Sequence, residues 1–86
     1  MSTVTVYVAT GCHLCETAVA ELERLADELG FELVEVDIGG RTELERAYRS
    51  WIPVVELAGE RLSVFQLDEP LLRARLAGEA GPQPSY

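Results

Sequence analysis

The sequence predicts an α/β fold: a four-stranded mixed sheet flanked by three helices in the order β-α-β-α-β-β-α. Three observations carry this. A β-branched run (Val4, Val6, Val8) is followed by a long helical pattern from 13 to 29 and then by a second strand pattern from 31 to 37. A strand–helix–strand unit of that length implies a right-handed crossover and parallel pairing. Val54 to Leu57, the loop Ala58-Gly59-Glu60 and residues 61–65 read as an antiparallel hairpin. Finally, both cysteines of the chain, Cys12 and Cys15, fall where the first strand meets the first helix.

The elements follow in order. Residues 3–9 alternate Val with Thr, Tyr or Ala, an uncharged pattern suited to a central strand covered on both faces. Gly11 permits a tight turn. Leu14, Ala18, Leu22, Leu25 and Leu29 form the apolar stripe of helix 13–29, widened by Val19 and Ala26. Gly30 terminates it. The three acids of strand 31–37 suit an exposed sheet edge. Gly39-Gly40 is a turn. Thr42 with Glu45 matches a capping box, and Leu44, Ala47 and Tyr48 give a short helix its apolar side. Pro53 directly precedes the third strand. Asp68 is the expected N-cap of a last helix that has Pro70 in its first turn and carries Leu71, Leu72 and Leu76. The domain is expected to span 1–77, with 78–86 a flexible C-terminal tail lacking periodicity.

With 86 residues, 48% of them hydrophobic, the chain suits one small domain with one core. No apolar run approaches the roughly 18 residues of a membrane span. The N-terminus lacks the basic patch and apolar core of a secretory signal, so a cytoplasmic location is expected. The net charge of −8 disfavours nucleic acid and anionic membrane surfaces as partners. The basic residues are seven arginines with no lysine, which fits a GC-rich coding bias and carries no functional reading.

Two cysteines in a reducing compartment point to catalysis or metal binding rather than to a structural staple. A disulfide across two residues closes too short a loop to stabilise much, and one CxxC with one histidine offers too few ligands for zinc within one chain. The start of a helix leaves backbone N–H groups unpaired and adds partial positive charge. Both favour a thiolate, so Cys12 is expected to ionise nearer about 7 than the usual value of about 8.5. Cys12 is the expected nucleophile. Cys15, one turn further in and set back from solvent, is the expected resolving thiol.

With Cys12-His13-Leu14-Cys15 after the first strand and Ile52-Pro53 before the third, the chain resembles the thioredoxin superfamily. In size and layout it is similar to short glutaredoxin-like proteins, over about residues 3–77. The resemblance implies a thioredoxin-like fold and a thiol–disulfide oxidoreductase, an electron carrier acting on protein or small-molecule disulfides. It also implies a cis peptide before Pro53, packed beside the sulfurs, with Ile52 offering backbone N–H and C=O groups to an extended substrate. Thr10, Gly11 and His13 complete the candidate substrate site; an imidazolium at His13 would lower the Cys12 pKa further. The competing implications are a binding module without turnover and a dimer sharing an iron–sulfur cluster through Cys12.

No resident cofactor is expected. Electrons would come from a reductase, from glutathione or from another low-molecular-weight thiol, and a monomer is expected. Leu14 and Trp51 are expected to pack in the core, Trp51 against the second helix, with the substrate groove as its alternative. Tyr7 is expected to be structural. Arg41, Arg46 and Arg49 lie on or near the short helix, where one would suit a glutathione-like carboxylate. The chain departs from glutathione-using glutaredoxins at three points. Ala9-Thr10 replaces a basic residue before the CxxC, no proline or tyrosine separates the cysteines, and the stretch Ser63 to Asp68 lacks the Gly-Gly pair. Asp68 is the candidate replacement for the acid that follows that pair.

Overall fold

The computed structural model describes residues 2–80. Its elements are β1 (Thr3–Val8), α1 (His13–Leu29), β2 (Glu32–Asp37), α2 (Thr42–Tyr48), β3 (Val54–Leu57), β4 (Glu60–Val64) and α3 (Glu69–Ala80). The sheet order is β2-β1-β3-β4. β1 pairs in parallel with β2 and antiparallel with β3, and β3 pairs antiparallel with β4. This is the thioredoxin-like arrangement that the sequence predicts. The acidic strand β2 lies at an edge, and β1 lies inside.

The two faces of β1 are covered differently. Val4, Val6 and Val8 are buried in a core shared with Leu22 and Leu25 of α1, Leu72 and Leu76 of α3, and Val55, Leu57 and Leu62 of the hairpin. On the opposite face the Tyr7 ring stacks on Tyr48 of α2 at 4.0 Å, and the Tyr48 hydroxyl donates to Glu56 at 3.1 Å. α1 and α3 thus cover one face and α2 the other. Arg73 of α3 also bridges Glu28 of α1 and Glu69.

Local chemistry explains where the elements stop. Gly30 ends α1 in the left-handed region (φ 79°), its N–H reaching the Ala26 carbonyl at 2.8 Å. The hairpin turns on Ala58 (φ 53°) and Gly59 (φ 82°), the paired positive angles of a type I′ turn. Asp68 caps α3, its carboxylate accepting from the Leu71 N–H at 3.1 Å.

Three expectations require correction. The capping box at Thr42 does not form: Arg41 is the N-cap residue, without a side-chain bond, and Glu45 accepts from the Gly40 N–H instead. Ala47 is exposed, and α2 buries no residue fully. α3 continues through Gly78 to Ala80, because a helix already propagating tolerates one glycine. The rest of the expected tail, 81–86, lies outside the described residues.

Candidate active site

β1 delivers the chain to the site and α1 leads it away. Gly11 makes the turn between them at φ 78°, in the region that favours glycine. Cys12 is then the N-cap residue of α1, with extended backbone (φ −96°, ψ 106°). Its Sγ accepts a hydrogen bond from the Cys15 N–H at 3.1 Å, and its carbonyl accepts from the Glu16 N–H at 3.1 Å. The sulfur therefore takes the place that a serine or aspartate oxygen occupies at an ordinary helix start.

Cys12 and Cys15 are joined by a disulfide, with Cα atoms 5.2 Å apart. Their surroundings differ. Cys15 is 2% exposed and belongs to the core cluster, whereas Cys12 is half-buried at its margin. An incoming group can reach the outer sulfur. The inner one is held directly behind it.

The loop before β3 forms the facing wall. The Ile52–Pro53 peptide is cis, with Pro53 buried and Ile52 half-buried. Thr10, Gly11 and Ile52 line one hollow of about 400 Å³ with Cys12, so the structure brings together three of the five residues singled out around the pair. Pro53 is fully buried and does not line the hollow. His13 is exposed and outside the lining. Phe65 donates its N–H to the carbonyls of Trp51 (3.3 Å) and Pro53 (3.0 Å), passing over Ile52. Among the described residues, the N–H and C=O of Ile52 have no hydrogen-bond partner.

Two aromatic and aliphatic assignments change. Leu14 is 45% exposed and Trp51 is 46% exposed, so neither packs in the core. The inward place in the first turn of α1 belongs to Cys15, which rotates Leu14 outward. Trp51 tilts against Phe65 instead, with ring centroids 6.0 Å apart.

Phe65 is the residue that sequence reasoning missed. It is 44% exposed at φ 67°, a conformation costing a bulky residue on the order of 1 kcal/mol. The one available signal was the absence of glycine in the segment from Ser63 to Asp68.

Two of the four charged candidates, Arg49 and Asp68, are already engaged. Arg49 lines the hollow beside Cys12, but its guanidinium donates to Glu45 at 2.6 Å. Arg41 and Arg46 are exposed and do not line it. Asp68, the possible substitute for a ligand-binding acid, serves as the α3 cap.

The family model for the glutaredoxin-like domain (DUF836) matches residues 3–77. The chain belongs to this glutaredoxin-like family. Over 72 residues it is 33% identical to an uncharacterised protein of Mycobacterium tuberculosis, covering 78% of this chain and 74% of that relative. Among solved structures, a Nitrosomonas europaea protein is similar at 33% identity and a TM-score of 0.75, covering 86% of this chain and 89% of its own. A protein of X. campestris is 36% identical with a TM-score of 0.67, covering 92% and 99%. A mutant thioredoxin from Halobacterium salinarum, at 20% identity and TM-score 0.70, covering 96% and 78%, shares the fold. A glutaredoxin-like thioredoxin fold with a Cys12–Cys15 pair supports a redox-type function for this family member.

Proposed function

We infer that the protein is a thiol–disulfide oxidoreductase, an electron carrier that reduces disulfides through Cys12 and Cys15. The observation that carries this is the Cys15 N–H held 3.1 Å from the Cys12 Sγ, with the second sulfur buried immediately behind the first. In the reduced protein the same N–H and the helix start favour the Cys12 thiolate.

That thiolate attacks one sulfur of a substrate disulfide. A bond forms from Cys12 to that sulfur, the substrate S–S bond breaks, and the other substrate sulfur leaves as a thiolate. Cys15, once deprotonated, then attacks Cys12. The mixed disulfide breaks, the second substrate thiolate departs, and the Cys12–Cys15 disulfide closes. Two electrons have passed to the substrate. A low-molecular-weight thiol or a reductase returns them, in a reducing, cytoplasmic compartment, without a resident cofactor. The free backbone groups of Ile52 suit an extended chain bound beside the sulfurs.

The test uses single-cysteine variants. Cys12→Ser abolishes disulfide reduction, whereas Cys15→Ser accumulates mixed disulfide on Cys12, seen as an adduct by intact mass. Retention of full turnover by both variants overturns the reading.

A further inference from the structure

A row of apolar side chains runs along one side of the site at the outer sulfur. Ile52 shares a hollow with Cys12. Its neighbour Trp51 contacts the Phe65 ring, and Phe65 lines a second hollow, of about 310 Å³, with Leu14, Leu67 and Glu21. Leu14 lies two residues beyond Cys12. Of the five large hydrophobic side chains that are exposed among the described residues, three form this row: Leu14, Trp51 and Phe65. Phe65 is kept there at a backbone angle that a glycine would adopt without strain. An apolar group exposed in a strained conformation contributes little to folding, and such features cluster at binding sites.

Among the described residues, the unpaired charge lining the hollows beside the cysteines is negative. Glu21 lines the Leu14–Phe65 hollow, and Glu16, Glu23 and Glu35 line a third hollow on the far side of Cys15. Among the described residues, none of these four carboxylates has an ion-pair partner. Arg24, Arg73 and Arg75 pair with Glu28, Glu69 and Glu60 instead. Arg49, the cation beside Cys12, is neutralised by Glu45. An anionic ligand such as glutathione therefore meets a repulsive approach, with Arg49 and Asp68 both already engaged.

We propose that the disulfide reduced by Cys12 belongs to a basic polypeptide. An apolar side chain beside its cysteine rests on Leu14, Trp51 and Phe65, and its Lys or Arg side chains face Glu21 and Glu16. This rests on the thiol–disulfide reading of Cys12 and Cys15, from which the two electrons come.

The experiment is single-turnover oxidation of the reduced full chain by a panel of disulfides. The panel holds a peptide disulfide with Leu beside the cysteine and Lys further out, its Lys→Glu and Leu→Gly counterparts, oxidised glutathione and neutral 2-hydroxyethyl disulfide. Each rate is divided by that of dithiothreitol with the same compound, which removes differences in intrinsic reactivity. The Lys peptide reacts about tenfold or more faster than the Glu peptide at low salt, and the gap narrows at high salt. Replacing its Leu by Gly slows it about tenfold.

Two variants locate the effect. Phe65→Gly suits the positive φ, and Glu21→Gln is nearly isosteric. Each lowers the ratio of the Lys-peptide rate to the 2-hydroxyethyl disulfide rate. If no disulfide in the panel is reduced, the redox reading falls and this inference with it. If 2-hydroxyethyl disulfide is reduced while glutathione disulfide or the Glu peptide matches the Lys peptide, the redox reading stands and the basic-polypeptide inference is overturned.

Discussion

The backbone N–H of Cys15 points at the sulfur of Cys12 from 3.1 Å. One residue thus supplies both the donor that favours a charged outer sulfur and the second sulfur of the pair. A hydrogen bond to the charged form, added to the helix-start field, lowers a thiol pKa. In the Cys15→Ser variant, which retains this N–H, alkylation of Cys12 by iodoacetamide is expected to reach half its maximal rate below the ordinary thiol midpoint of about 8.5. A midpoint at or above that value means the N–H does not tune the sulfur.

The position of Leu14 yields a stability contrast. Leu22 is fully buried in the core, and Leu14 is 45% exposed in the first turn of α1, between the two cysteines in sequence. Leu22→Ala is expected to cost about 3 kcal/mol through lost burial and a residual cavity. Leu14→Ala is expected to cost less than about 1 kcal/mol. Urea unfolding at matched slope reads both. Equal losses would mean that Leu14 supports the core after all.

Leu14 also shows where the sequence is legible and where it is not. Helix 13–29 could be placed to the residue because Gly11 and Gly30 bracket an uninterrupted apolar period. That period admits two neighbouring faces, one led by Leu14 and one by Cys15. Cysteine is small and weakly polar, so hydropathy does not choose between them, and the sheet above α1 does. The same limit applies to Trp51 and Phe65, which meet only because the β3–β4 hairpin brings positions 51 and 65 together. The edge position of β2 was readable from its acids, and the cap at Asp68 from its spacing to Pro70. The Glu45 bond to Gly40 was not readable, since a two-residue offset in a capping motif depends on the backbone path of the preceding turn.

Gly11 provides a test of conformation separated from contact. A Cβ placed there meets nothing within 4 Å, yet φ is 78°. Any cost of Gly11→Ala is therefore backbone strain. The expected destabilisation is about 1 kcal/mol, and Gly11→Asn is expected to cost less, because asparagine enters the left-handed region more readily. Thermal unfolding of the three proteins ranks them Gly, Asn, Ala. If alanine is as stable as glycine, the turn into Cys12 does not need its positive φ.

Tyr48 gives a dependence on alkaline pH. Burial, then hydrogen bonding with Tyr7 and Glu56, pushes its hydroxyl from about 10 up to about 12. The unfolded chain releases this proton near pH 10 and the folded chain holds it until about 12, so over that window the unfolded state binds fewer protons. The stability contributed by the neutral hydroxyl is therefore complete below pH 10 and is lost as pH rises through 12. At pH 8 the wild type is expected to exceed Tyr48→Phe by about 1 kcal/mol, the value of one partly exposed hydrogen bond to a carboxylate. Above pH 10 the difference shrinks, because the Phe variant has no proton to lose at this position. Urea unfolding of both proteins at pH 8 and pH 11 reads the change. A constant gap would show that Tyr48 ionises alike in the folded and unfolded chains, and a widening one that folding lowers its pKa instead of raising it.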